Sequence, residues 1–269
     1  MILGLIAEEE AMYEAIGDRL SRRKYNCGLN EKELHKLQAV AEQCRIASGD
    51  AIRIAVFEEG AQAVVNGIKN SYGLITGAES FAAFIIKDQG SYSLLKMGYY
   101  GEQFILAATA MGLGTCWLGG TFDKEAAQKI VNIAEGEKLC FITPIGDVAK
   151  KLSAKEKVIK MAVGSVSRLT MKKLVLNSEA FEKSPKWMQR AMEAAQIAPS
   201  SLNHQPWRFL IDLENERLGV TKVSNSQEEQ DIGIAMAHIA LVAKHYGLEN
   251  FWHLEEASSN KEAIWWHGV

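Results

Sequence analysis

Ala198-Pro-Ser-Ser-Leu-Asn-His-Gln-Pro-Trp207 decides how the chain is read. Before it, Trp187, Met188, Ala191, Met192 and Ala195 recur at helical spacing. After it, Arg208-Phe-Leu-Ile-Asp-Leu213 reads as a strand. The run is therefore a helix-to-strand loop. Pro199 cannot continue the helix, and short polar side chains gather beyond it. Such a loop presents hydroxyl and amide groups beside a rigid scaffold, as binding loops do. The plainer alternative is a well-capped turn over a buried tryptophan.

Two earlier stretches join it. Arg19-Leu-Ser-Arg-Arg-Lys-Tyr25 is a basic run, and Gly112-Leu-Gly-Thr-Cys-Trp-Leu-Gly-Gly120 a glycine loop. Together the three resemble motifs of the nitroreductase superfamily: an arginine clamp, a glycine loop, and Pro-Ser-Ser-x-Asn-x-Gln-Pro-Trp. In that family the clamp and the Pro-Ser-Ser loop are separated by one helix. Here Arg23 and Ala198 lie 198 − 23 = 175 positions apart.

An internal repeat accounts for the displacement. Leu37–Ala47 lines up with Met188–Ala198 at an offset of 198 − 47 = 151. Gly112-Leu113 and Trp117 line up with Gly247-Leu248 and Trp252, and Gly98 with Gly233, at 233 − 98 = 135. The copies differ in complementary ways. Copy one holds Arg22-Arg23 where copy two has Lys173-Leu174, and Gly119-Gly120 where copy two has Leu254-Glu255. Copy two holds the Pro-Ser-Ser loop where copy one has Ser48-Gly-Asp-Ala-Ile-Arg53. Nitroreductases are usually homodimers whose two flavin sites combine motifs from both chains. The reading is a fused dimer with one surviving site. Residues 1–269 then form a single compact unit: copy one at about 9–146, a basic connector at about 147–173, and copy two at about 174–269.

The resemblance implies an α+β fold, a central, mainly antiparallel sheet with helices on both faces, as an internal pseudo-dimer. It implies FMN as cofactor and NADH or NADPH as donor. Arg22 and Arg23 would hold the phosphate, with Lys24 at the family's serine position and Arg168, after Gly164-Ser165, as a further ligand. Trp117, Leu118, Gly119 and Gly120 would bring a backbone N–H to the ring. Pro199, Ser200, Ser201 and Asn203 would close the site from copy two. Trp207 reads as core, and His204 as a solvent-facing spacer. No catalytic side chain is named, because the flavin carries the redox chemistry.

Local patterns supply the elements. Asn30 with Glu33 reads as a capping box opening a helix over 31–47. Strands are expected at 51–57, 80–87 and 138–144, a first short helix at 9–20, and another at 123–134. Residues 98–111 are apolar nearly all round and rich in Gly and Ala, which marks a buried helix closely approached by another backbone. Eight Lys or Arg between 147 and 173 read as a solvated connector with one helix.

Composition sets the outer bounds. The 269 residues carry a net charge of −3, which gives no support for nucleic-acid or anionic-membrane binding. Four cysteines show no zinc spacing and read as cytoplasmic thiols. His238 and His245 lie seven apart without a third ligand at metal spacing. The apolar start runs quickly into Glu8-Glu-Glu10, so neither a signal peptide nor a membrane span is expected. The expected partner is a small electron acceptor such as a nitroaromatic or quinone, and a monomer suffices because the dimer is fused. The alternatives are a flavin storage or sensing protein, or a scaffold for a non-flavin ligand.

Overall fold

The computed structural model describes residues 2–65, 75–87, 92–162, 167–223, 228–248, 252–253 and 264–266. Gly164-Ser165, Leu254-Glu255 and residues 66–74 of the mixed stretch at 58–75 lie outside them. The first half contains β1 (Ile2–Leu3), α1 (Glu9–Ala15), α2 (Glu31–Ala47), β2 (Ile52–Phe57), α3 (Ala61–Val65), β3 (Ser80–Ile86), α4 (Ser93–Ala110), β4 (Gly114–Thr115), α5 (Lys124–Val131) and β5 (Lys138–Gly146). Two short helices follow, α6 (Ala154–Ala162) and α7 (Met171–Leu174). The second half contains α8 (Lys186–Gln196), β6 (Trp207–Asp212), β7 (Arg217–Lys222), α9 (Glu229–His245), β8 (Trp252–His253) and β9 (Ile264–Trp266). Among the described residues no helix is long and apolar enough to cross a membrane.

The local signals fold as their chemistry dictates. The Asn30 side chain accepts the Glu33 N–H at 3.0 Å, and Glu33 accepts the Asn30 N–H at 2.9 Å. Both bonds satisfy donors that a helix start leaves open. In β3 the two faces bury against different neighbours. Ala82, Phe84 and Ile86 join the main core, whereas Phe81, Ala83 and Ile85 join a second cluster with Val64, Phe122 and Val131. Helices therefore cover both faces, and the strand is apolar throughout.

The fold is α+β, with antiparallel pairing along every described ladder. The strands divide between two sheets rather than sharing one central sheet, with orders β2-β3-β5-β4 and β6-β7-β9-β8-β1. With β1 set aside and the strands counted within each half, both sheets run first, second, fourth, third. The N-terminal β1 adds to the sheet of the second half.

Between the sheets lie α4 and α9, packed on each other, with α4 against β3 and α9 against β7. Both helices are buried along nearly their whole lengths. Their contact is glycine to backbone. A Cβ on Gly98 would stand 1.9 Å from the Gln230 carbonyl oxygen, and a Cβ on Gly233 would stand 2.0 Å from that of Leu95. Only glycine permits this approach.

Candidate active site

A cavity of about 810 Å³ opens where the halves meet. From the first half it is lined by Arg19, Ser21, Arg23 and Trp117–Gly120; from the rest of the chain by Glu156, Arg168, Pro199–Asn203 and Asp231. The expected residues Arg23, Trp117, Leu118, Gly119, Gly120, Arg168, Pro199, Ser200, Ser201 and Asn203 thus share one cavity. Arg22 and Lys24 do not line it.

The arginine segment explains this shift. Residues 21–24 run extended, with Ser21 bridging Thr115 and Lys24 bridging Thr76. Extended backbone sends alternate side chains to opposite faces. Within the extended run Ser21 and Arg23 take the cleft face, and Arg19 and Leu20, just before it, also line the cleft. Lys24 is exposed, and Arg22 is buried behind the wall. Of the expected pair, Arg23 lines the cleft and Arg22 does not.

Arg22 instead helps hold a carboxylate. Glu156 Oε1 accepts the Arg23 N–H at 2.9 Å, the Lys24 N–H at 3.3 Å and Arg22 Nε at 3.2 Å. Its Oε2 accepts the Ser153 N–H and hydroxyl, both at 2.8 Å. Burial alone would raise this carboxyl, but the donors from Arg23, Ser153 and Arg22 outweigh it and bring Glu156 to about 2. The backbone amides of the expected clamp are therefore filled by the chain's own anion.

Positive charge gathers elsewhere in the cleft. Arg19 Nε is buried without a hydrogen-bond partner, and the Glu102 carboxylate stands 3.5 Å away. Burial and the neighbouring Arg19 charge bring Arg168 down to about 10. Arg168 is also a structural cap, donating to the carbonyls of Ala198 at 2.8 Å and Ile197 at 3.0 Å and to Asn203 Oδ1 at 2.9 Å. These bonds occupy three of the five donors a guanidinium carries.

The Pro-Ser-Ser loop spends much of its polarity on itself. Leu202, Asn203 and Gln205 all have left-handed backbones, with φ of 45°, 60° and 50°. Such conformations cost about 1–3 kcal/mol each and need support. Ser200 Oγ accepts the Gln205 N–H at 3.0 Å, Gln205 Oε1 accepts the Leu169 N–H at 2.8 Å, and Asn203 Nδ2 donates to the Ser167 carbonyl at 2.8 Å. Ser200 and Asn203 thus shape the loop. His204 is exposed and meets Glu228 at 2.7 Å, and Trp207 is fully buried.

The opposite wall is rigid. Trp117 Nε1 donates to Glu102 Oε2 at 2.8 Å, and its ring packs on Phe84 and Phe141. Glu102 Oε1 also faces His238 Nε2 at 3.1 Å, so α4 and α9 jointly fix the tryptophan. Gly119 lies against the Phe141 ring, where a Cβ would come within 2.8 Å, whereas Gly120 faces open space. Leu118 pairs with Ile142 through both its N–H and its carbonyl.

Two carboxyl groups line the cleft among its described residues, and their surroundings differ. Glu156 is saturated with donors. Asp231 is 3% exposed and accepts the Ser201 N–H at Oδ2, 2.9 Å away. Burial, offset in part by the Ser201 bond and reinforced by Glu228, pushes Asp231 up to about 7. No sequence motif marked Asp231 or Glu156.

Comparison with known proteins agrees with this architecture. The family model "Putative TM nitroreductase" matches residues 11–243. The chain belongs to this nitroreductase family. A solved structure from Thermotoga maritima, titled a "putative nitroreductase", is 17% identical, with a TM-score of 0.60 covering 95% of this chain and 92% of that one. An "FMN-dependent nitroreductase" of Clostridium difficile is 16% identical, with a TM-score of 0.39 over 52% of this chain and 89% of that one. A Bacteroides thetaiotaomicron structure titled "putative NADH dehydrogenase/NAD(P)H nitroreductase" is 18% identical, with a TM-score of 0.42 over 53% and 89%. No curated protein matches the chain significantly.

Proposed function

We propose that the chain is a cytoplasmic FMN-dependent oxidoreductase that passes reducing equivalents from NADH or NADPH to a small acceptor such as a nitroaromatic or quinone. One flavin occupies the cleft, which lies between two fused copies of a nitroreductase-like half. The observation that carries this reading is the cavity itself, walled by Arg19, Arg23 and Trp117–Gly120 from one half and by Arg168, Pro199–Asn203 and Asp231 from the other. Three further relations support the fusion: the matching strand orders, the reciprocal glycine contacts, and α4 and α9 at equivalent positions.

The residues fit FMN on local grounds. Arg19 pairs through Nε with Glu102 and lies close enough to Arg168 to lower its pKa, and two neighbouring guanidinium groups on the cleft wall favour an anion beside them. Arg19, Arg23 and the remaining donors of Arg168 would hold the phosphate. Among the described residues no acceptor meets the N–H groups of Gly119 and Gly120, which line the cleft and suit a ring edge with lone pairs. When bound, FMN supplies hydride transfer between donor and acceptor. The chain's own part is to orient and to exclude water. Glu102 and His238 hold Trp117 as a fixed wall, and the strained Pro-Ser-Ser loop is locked by Gln205 and Arg168.

The test is anaerobic spectroscopy of the FMN-loaded protein. NADH or NADPH should bleach the flavin, and a quinone should restore its colour within the catalytic cycle. A protein that binds FMN but resists bleaching by both nucleotides is a store or sensor and contradicts the enzymatic reading.

A further inference from the structure

We infer that Asp231 is the proton donor to the acceptor reduced in the cleft, an assignment that rests on the flavin-oxidoreductase reading above. The geometry is that of a nine-tenths buried carboxyl on the cleft wall. It stands in the first turn of α9, and its Oδ2 is engaged by the Ser201 N–H at 2.9 Å. That bond fixes the side chain relative to the Pro-Ser-Ser loop.

The contrast with Glu156 identifies which carboxyl can serve. Glu156 is held as an anion by backbone amides, Ser153 and Arg22, and has no proton to give near neutrality. Asp231 retains its proton to about pH 7. Two carboxyl groups in one site, pushed apart by their surroundings, divide naturally into an anion and an acid. The charged groups acting on Asp231 are Glu228 in the preceding turn, which favours the proton, and His204 from the loop, which opposes it. Lys96, buried on α4, is the cation of the facing helix, in the turn crossed by α9.

The step balances for a quinone. The bound flavin, once reduced, would supply one hydride equivalent, carrying both electrons. The Asp231 O–H bond breaks and an O–H bond forms on the acceptor, giving the hydroquinone and leaving a carboxylate that solvent reprotonates. The acid form prevails below the carboxyl's folded value, so quinone reduction slows as pH rises through about 7.

Asp231→Asn tests this in the full-length, FMN-loaded protein, because asparagine can still accept the Ser201 N–H. Two acceptors are compared after reduction by NAD(P)H: a benzoquinone, which needs a proton, and ferricyanide, which takes electrons alone. The variant should lose about a hundredfold in quinone reduction and its pH dependence near neutrality, with ferricyanide rates within about twofold of wild type. Glu228→Gln, which removes a charge that favours the proton, should move the quinone pH midpoint downward without altering ferricyanide rates. Equal losses with both acceptors make Asp231 structural and overturn the proposal, as do unchanged quinone rates. A wild-type protein that takes up no flavin overturns the functional reading and this assignment together. A flavin-loaded wild type beside an unaffected variant overturns only this assignment.

Discussion

Gly98 and Gly233 face each other across the centre of the molecule, each blocked by the other helix three residues before the opposing glycine. A Cβ on Gly98 would stand 1.9 Å from the Gln230 oxygen; a Cβ on Gly233 would stand 2.0 Å from the Leu95 oxygen. Reciprocal contact of this kind is what a two-fold interface produces. Gly98→Ala and Gly233→Ala should therefore each destabilise the protein, by about 3 kcal/mol or more, because rigid backbone must move. Chemical denaturation checks this. A loss under about 1 kcal/mol in either variant would contradict the contact.

Glu156 should contribute to stability in a pH-dependent way. Its folded value, about 2, lies below the ordinary 4.5, so its contribution is full above pH 4.5 and is lost as pH falls toward 2. Glu156→Gln should cost roughly 2 kcal/mol at pH 7, as expected when charge-assisted hydrogen bonds are removed. Denaturation curves of the two proteins should converge in strong acid.

Asp231 behaves oppositely. Its folded value is raised, so the folded chain keeps a proton that the unfolded chain releases, and stability falls as pH rises from about 4 to about 7. Asp231→Asn removes that dependence. At pH 8 the variant should melt above wild type, by the equivalent of up to about 4 kcal/mol. At pH 4 the difference should vanish.

The neighbouring arginines should separate by role. Arg19→Ala and Arg23→Ala should weaken FMN binding by roughly ten- to a hundredfold, the worth of one charge-assisted phosphate bond. Arg22→Ala should lower the melting temperature of the flavin-free protein through Glu156, with a smaller effect on affinity. Fluorescence titration and thermal melting together measure both. Equal affinity losses in all three variants would refute the alternation along the segment.

Local signals were legible in the sequence. Asn30 and Glu33 announced α2, and its observed span of Glu31–Ala47 matches the reading. The glycine-rich pattern announced a closely approached helix, and the aligned pair Gly98 and Gly233 lies at the contact. The loop at 198–207 and the glycine loop were found as stretches, because proline, glycine and short polar residues constrain backbone locally. Side-chain direction was less legible. Arg22 is buried on the far side of an extended segment from Arg23, a direction that composition does not encode. Ser200 and Asn203 shape a left-handed loop that tertiary contacts stabilise. Glu156 and Asp231 lie in a basic connector and an apolar helix, and only long-range packing brings them to the cleft. The division into two sheets followed from strand pairing, which single-strand patterns do not encode.

The central claim is one flavin held between the two halves, and calorimetric titration of flavin-free protein with FMN tests it most directly. The account predicts saturation at one FMN per 29.7 kDa chain, with that stoichiometry kept and affinity reduced in Arg19→Ala. Saturation at two FMN per chain, or no binding, would contradict it.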